Sequence, residues 1–174
     1  MFDFGDITYL KSGSKRQQEA YRELTRLNVF EHLKNYDPIL TGTIPIQIDV
    51  PKSDLDIICQ CKNHIEFSSQ LCELFGHQND FKIRSYKQNE VKSTVVSFIG
   101  QSFKIEIFGQ DIPTKSQHAY RHMVIEYELL NQKGEDFRAR VRKLKQEGYK
   151  TEPAFAKLLG LEGDPYSVLL NVKV

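Results

Sequence analysis

The chain of 174 residues carries 24 Lys and Arg against 23 Asp and Glu, a formal net charge of +1, and 40% of it is apolar. That balance excludes the strongly basic surface of a protein built to coat nucleic acid or an acidic membrane, and the mixed composition excludes collagen, coiled-coil and disordered classes. Apolar runs fall far short of the ~20 residues a membrane-spanning helix needs, no basic-then-apolar leader opens the chain, and an odd set of cysteines, Cys59, Cys61 and Cys72, points to a reduced, cytoplasmic protein.

The predicted elements run in one series, without repeats or low-complexity linkers. Ser14-Lys15-Arg16-Gln17 has the form of a capping box, in which hydroxyl and amide side chains satisfy each other's backbone donors. Ala20, Leu24, Leu27 and Leu33 follow at helical spacing, so the first helix is expected to run until Pro38. A short strand over Pro38-Ile39-Leu40-Thr41 stops at Gly42. From Asp54 to Cys61 the pattern alternates, with Leu55, Ile57 and Cys59 on one face and Asp54, Asp56 and Ile58 on the other. Asn63 caps a helix that stops at Gly76. Strands over 81–87, 91–99 and 102–108 follow, separated by Gln88-Asn89-Glu90 and Gly100-Gln101, which are hairpin-length. In the last of them Phe103, Ile105 and Ile107 share one face, and Lys104 and Glu106 the other. Beyond Pro113 the pattern turns helical: a second capping box at Thr114–Gln117, a stripe through Ala119, Met123, Tyr127 and Leu130, a break near Gly134, a basic helix, and short helices after Thr151. The expectation is an α/β (α+β) fold, a small mixed sheet packed with helices. It is read as a single domain over residues 1–174, with a catalytic-type core at about 14–112 and a helical tail at 113–174.

The stretch that carries chemistry runs from Leu40-Thr41-Gly42-Thr43 to Asp54-Leu55-Asp56. Aspartates at i and i+2 on a strand point the same way, and like charges held side by side raise a pKa or demand a cation. Hard oxygen donors suit Mg²⁺ or Mn²⁺. Glu106, on the polar face of a later strand, joins them if the two strands are neighbours. The Gly42-Thr43 turn offers close backbone approach, amides and a hydroxyl to phosphate oxygens. Ser53 and Lys104, beside the acids, complete the nucleotide-binding candidates.

These residues resemble a known signature. Gly42-Thr43, the spacing to Asp54-Leu55-Asp56, and Glu106 are similar to the pattern of the nucleotidyltransferase superfamily of the DNA polymerase β type. Over nearly its whole length the chain resembles the DUF4269 family, grouped with that superfamily, through Tyr9-Leu10-Lys11-Ser12-Gly13, Gly42-Thr43-Ile44-Pro45-Ile46, Thr151-Glu152-Pro153-Ala154-Phe155-Ala156 and Gly163-Asp164-Pro165-Tyr166. The resemblance implies transfer of a nucleoside monophosphate from a triphosphate to an acceptor hydroxyl, with release of pyrophosphate. Asp54 and Asp56 would hold the metal of the triphosphate, Glu106 with Asp56 a second metal or the acceptor's proton, and Gly42 and Thr43 the outer phosphates. The implied cofactor is Mg²⁺ or Mn²⁺ and the partner a nucleoside triphosphate. The acceptor (small molecule, protein or RNA) is left open, and no membrane is implied. The chain departs from the signature in having Thr at the second position and Pro45 and Pro51 in the loop, and only a short tail follows Glu106.

Plainer readings stand beside these. An Asp-x-Asp can be a solvated strand end, and Glu106 can pair with Lys104. His118, His122 and Glu126 at i, i+4 and i+8 are expected at a satisfied helix edge. If that helix lies beside the acids, Gln117, Tyr120, Arg121 or His122 would reach a nucleotide instead. The basic run Arg138, Arg140, Arg142, Lys143, Lys145 reads as a solvated face, and Cys59-x-Cys61 as core thiols. The alternative to an enzyme is a catalytically inactive nucleotide- or protein-binding module, antitoxin-like or sensory, on the same fold.

Overall fold

A computed structural model describes residues 2–88 and 90–173. Its centre is a five-stranded mixed sheet in the order β1-β2-β5-β4-β3, with β1 Ile39–Thr41, β2 Leu55–Gln60, β3 Asn79–Gln88, β4 Val91–Ile99 and β5 Lys104–Gln110. All neighbours are antiparallel except β2 and β5, which run parallel. The β3–β4 turn predicted at Gln88-Asn89-Glu90 includes Asn89, which lies outside the described residues.

Period-two alternation divides the central strands between two cores. Leu55, Ile57 and Cys59 of β2, Ile105 and Ile107 of β5, and Val96 and Phe98 of β4 pack against α1 Lys15–Arg26 and α3 His64–Phe75, through Ala20, Leu24, Phe67, Leu71 and Phe75. The opposite face is covered where it is apolar. There Ile39 and Ile58 pack with Tyr120, Met123, Leu130 and Phe155 from α4 His118–Gln146 and α5 Thr151–Leu159, and a short α6 Pro165–Leu169 adds Leu169. Among the described residues no helix is long and apolar enough to cross a membrane.

The first capping box forms as expected: the Ser14 hydroxyl accepts from the Gln17 amide and the Gln17 side chain accepts from that of Ser14. The first helix is shorter than its spacing predicts, because Asn28 adopts a left-handed conformation at φ 50° and starts a separate turn, α2 Val29–His32. Two other expected caps are spent elsewhere. The Thr114 hydroxyl donates to Asp37, so 114–116 is only a 3₁₀ turn and α4 starts at His118. Thr151 is the first helical residue of α5, and its hydroxyl accepts from Lys145 Nζ at 2.8 Å. At Gly134, φ 76° breaks α4 into the two segments expected from the sequence.

The basic segment of α4 is only in part the solvated face its charges predict: Arg140 and Lys143 are exposed, but Arg138, Arg142 and Lys145 are not. Buried Arg138 donates to the Ile46 carbonyl, and Arg142 Nε donates to that of Gln47 at 3.0 Å. From the other side Gln17 Nε2 donates to the Ile44 and Pro45 carbonyls at 3.0 Å each. Ile44, Ile46 and Ile48 point into the two cores. The loop after β1 is therefore tied down from both sides, because its own carbonyls have no strand to pair with.

Candidate functional site

The β2–β5 register builds the site. Asp56 lies opposite Glu106, and Thr41 of β1 lies opposite Asp56, so one row crosses three strands on the same face. Neighbouring strands are about 4.8 Å apart, which leaves the two carboxylates side by side. Burial, then the charges of Asp54 and Glu106, push the Asp56 carboxyl up to about 7. Both neighbouring acids therefore act on Asp56 electrostatically.

Gly42 is what lets the turn after β1 meet this row. It sits at φ +82°, and a Cβ there would stand 2.6 Å from Asp56 Oδ2. A left-handed φ favours glycine, and here the missing side chain is also the space that the carboxylate occupies. The following Thr43 hydroxyl donates to Ser53 Oγ at 3.2 Å, and Ser53 Oγ accepts from the Val50 amide at 2.9 Å. Those contacts close the loop on itself.

A cleft of about 680 Å³ opens over the row. Thr41, Gly42, Thr43, Asp56 and Glu106 form its sheet side. Gln117, His118, Ala119, His122, Met123 and Glu126 of α4 and its start, with Thr151 and Glu152 of α5, form the other. Of the residues singled out from sequence, Gly42, Thr43, Asp56 and Glu106 line the cleft, while Ser53, Asp54 and Lys104 are not among its walls. Asp54 is paired with Lys104 at 2.9 Å, which holds the Lys104 ammonium above the ordinary lysine range. Lys104 thus meets Asp54 rather than Glu106. Gln117 and His122 do face the cleft, whereas Arg121 is exposed and Tyr120 is buried in the core.

The donor set suits a divalent ion in kind: oxygen only, on adjacent strands, with a partly buried carboxyl short of positive charge. As the side chains stand, no group of three or more His, Cys, Asp or Glu among the described residues is gathered around one ion position. Residue type and strand register fit; Asp54 is engaged by Lys104.

On the far wall, sequence reasoning reached Gln117 and His122 only conditionally and missed Glu126 and Glu152 as cleft residues. Glu126 is 3% exposed, its Oε1 has no hydrogen-bond partner among the described residues, and burial pushes its carboxyl up to about 8. His122 Nε2 meets the Tyr166 carbonyl at 2.8 Å, and its Nδ1 lies 3.6 Å from Glu152 Oε1. Buried Gln117 donates to the Cys59 and Ile112 carbonyls at 3.0 Å each, and its Oε1 is also unpartnered. The i, i+4, i+8 run was the available signal, but its meaning depends on which way the helix faces.

The fold is similar to that of solved RNA polymerases and a terminal transferase. The chain resembles the Cid1 poly(U) polymerase with MgGTP bound at a TM-score of 0.56 and 12% identity, over 80% of this chain and 46% of that one. It resembles a cytoplasmic RNA terminal U-transferase at 0.56 and 13%, over 90% and 47%. The polymerase core of TRAMP, an RNA surveillance complex, gives 0.52 and 15%, over 94% and 50%. The chain spans about half the length of these proteins, and at such identities the likeness is one of fold. No curated protein matches the sequence. Residues 22–172 match the family model "Domain of unknown function (DUF4269)", and the chain belongs to that family.

Proposed function

We propose that this protein is a metal-dependent nucleotidyltransferase that moves a nucleoside monophosphate from a triphosphate to a hydroxyl and releases pyrophosphate. The observation that carries the reading is the Asp56–Glu106 pair across β2 and β5, with Asp56 against Gly42, on the wall of a cleft. A nucleotidyltransferase-type fold, and a fold neighbour with MgGTP bound, support it.

In this reading Asp54 and Asp56 would hold Mg²⁺ or Mn²⁺, which would supply charge neutralisation at the transferring phosphoryl group. To do so Asp54 would leave Lys104. Gly42 and Thr43 present backbone and hydroxyl to the outer phosphates. The acceptor oxygen attacks the α-phosphorus, the bond from that phosphorus to the bridging oxygen breaks, and pyrophosphate leaves. Glu106 takes the acceptor's proton. Most of the rate comes from alignment, since phosphoryl transfer needs little covalent help from protein. That role suits a turn tied down by Gln17, Arg138 and Arg142. A cytoplasmic setting belongs to the same reading, supported by the unpaired Cys59, Cys61 and Cys72.

The cleft wall includes no Lys or Arg among the described residues, so a triphosphate is expected to bind only with its cation. Thermal melting with each of the four common triphosphates tests this. At least one should stabilise the protein with Mn²⁺ and fail to do so with a chelator, and Asp54→Asn with Asp56→Asn should remove the shift. Release of pyrophosphate on adding acceptor then separates an enzyme from an inactive nucleotide-binding module. Absence of any metal-dependent shift would overturn both.

A further inference from the structure

The cleft has two polar sides, and only one is used by the chemistry above. On the other Glu126 and Glu152 face each other's charge, with His122 beside Glu152. Lys145 is half-buried behind them, its ammonium lowered by burial and donating to Thr151 rather than to either acid. Glu126 is a buried carboxyl on the cleft wall whose Oε1 is unpartnered. Burying such a group without a partner costs stability, and a ligand donor is what would repay it. The whole wall counts four acidic side chains (Asp56, Glu106, Glu126, Glu152), two imidazoles and no Lys or Arg among the described residues. A polyanionic strand needs the reverse: basic residues along its backbone and aromatic platforms for its bases.

We propose that His122, Glu126, Thr151 and Glu152 form the subsite for the second substrate, and that this substrate is a small hydroxyl compound carrying a cationic amine, not an RNA end. The ammonium sits against Glu126 and Glu152 in charge-assisted hydrogen bonds. Its hydroxyl then points across the cleft toward Asp56 and Glu106. The word "second" rests on the nucleotidyl-transfer reading; the amine site itself does not.

Glucosamine and its neutral counterpart glucose isolate the amine. Ligand-observed NMR titration at neutral pH, alone and with Mn²⁺ and a non-hydrolysable triphosphate analogue, should give glucosamine at least about tenfold tighter binding than glucose. Glu126→Gln and Glu152→Gln, each shown to fold by circular dichroism, should bring the two sugars to equal affinity. Equal binding of the two sugars by the unaltered protein, binding of neither, or glucosamine preference that survives both substitutions would overturn the proposal. So would tighter, salt-sensitive binding of a uridine oligonucleotide. If the triphosphate analogue stabilises the protein and glucosamine shows no preference, the subsite fails and nucleotidyl transfer stands. If glucosamine is preferred and no triphosphate binds, the amine site stands and the transfer reading fails.

Discussion

The two faces of the sheet are made by the same strands and do opposite work. On one, Leu55, Ile57, Ile105 and Ile107 are fully buried under α1 and α3. On the other, one residue along, Asp56 and Glu106 stand in register at a cleft. The apolar face gains its stability from close packing and tolerates no gap. The acidic face spends stability: the strand register sets Glu106 opposite Asp56, whose carboxyl its acidic neighbours repel. The comparison teaches that the sealed face is the mould. Its packing sets the β2–β5 register, and the register sets where the charges meet.

Substitutions on the two faces should therefore move stability in opposite directions. Ile57→Ala leaves a cavity in the sealed core and should cost about 2–5 kcal/mol, read as a lower midpoint in urea unfolding. Asp56→Asn, one residue away, should raise that midpoint in the metal-free protein. A common loss from both would break the contrast between the faces.

Gly42→Ala tests the seam where the turn meets the acids. An L-residue in the left-handed region costs about 1–2 kcal/mol, and the new Cβ would contact Asp56 Oδ2 at 2.6 Å. The expected result is a modest drop in melting temperature with a weakened response to Mn²⁺ and triphosphate. An unchanged response would show that the turn does not shape the site.

The last test is one of pH. The folded Asp56 carboxyl titrates at about 7, against about 3.9 in an unfolded chain. Over that window the folded state holds the extra proton, so stability falls as pH rises and levels off above it. Glu126, at about 8, adds a slope of the same sign reaching slightly higher. The gap in melting temperature between Asp56→Asn and the unaltered protein should widen from pH 5 to about 7 and then hold. A gap that narrows with rising pH would mean that Asp56 is stabilised, not strained, by its neighbours.

Much of this was legible in local pattern. The capping box at Ser14, the alternation from Leu55 to Cys59, and the Phe103, Ile105, Ile107 stripe each depend on neighbours in sequence, and local rules read them. Arg138 and Arg142 were misread because their partners are the Ile46 and Gln47 carbonyls, more than ninety residues away. Thr114 and Thr151 carry cap-like signals whose hydroxyls Asp37 and Lys145 engage instead, contacts that no sequence window contains.

From residue order alone come the identity of the strands and helices, the face on which Asp56 and Glu106 stand, and the glycine that precedes them. Period-two and 3.6-residue geometry impose these on any chain with this pattern. Tertiary packing alone decided that β5 lies beside β2, that Asp54 pairs with Lys104, and that α4 turns His122 and Glu126 toward the acids. Strand order and helix orientation depend on which distant surfaces bury each other, and that is a property of the assembled core.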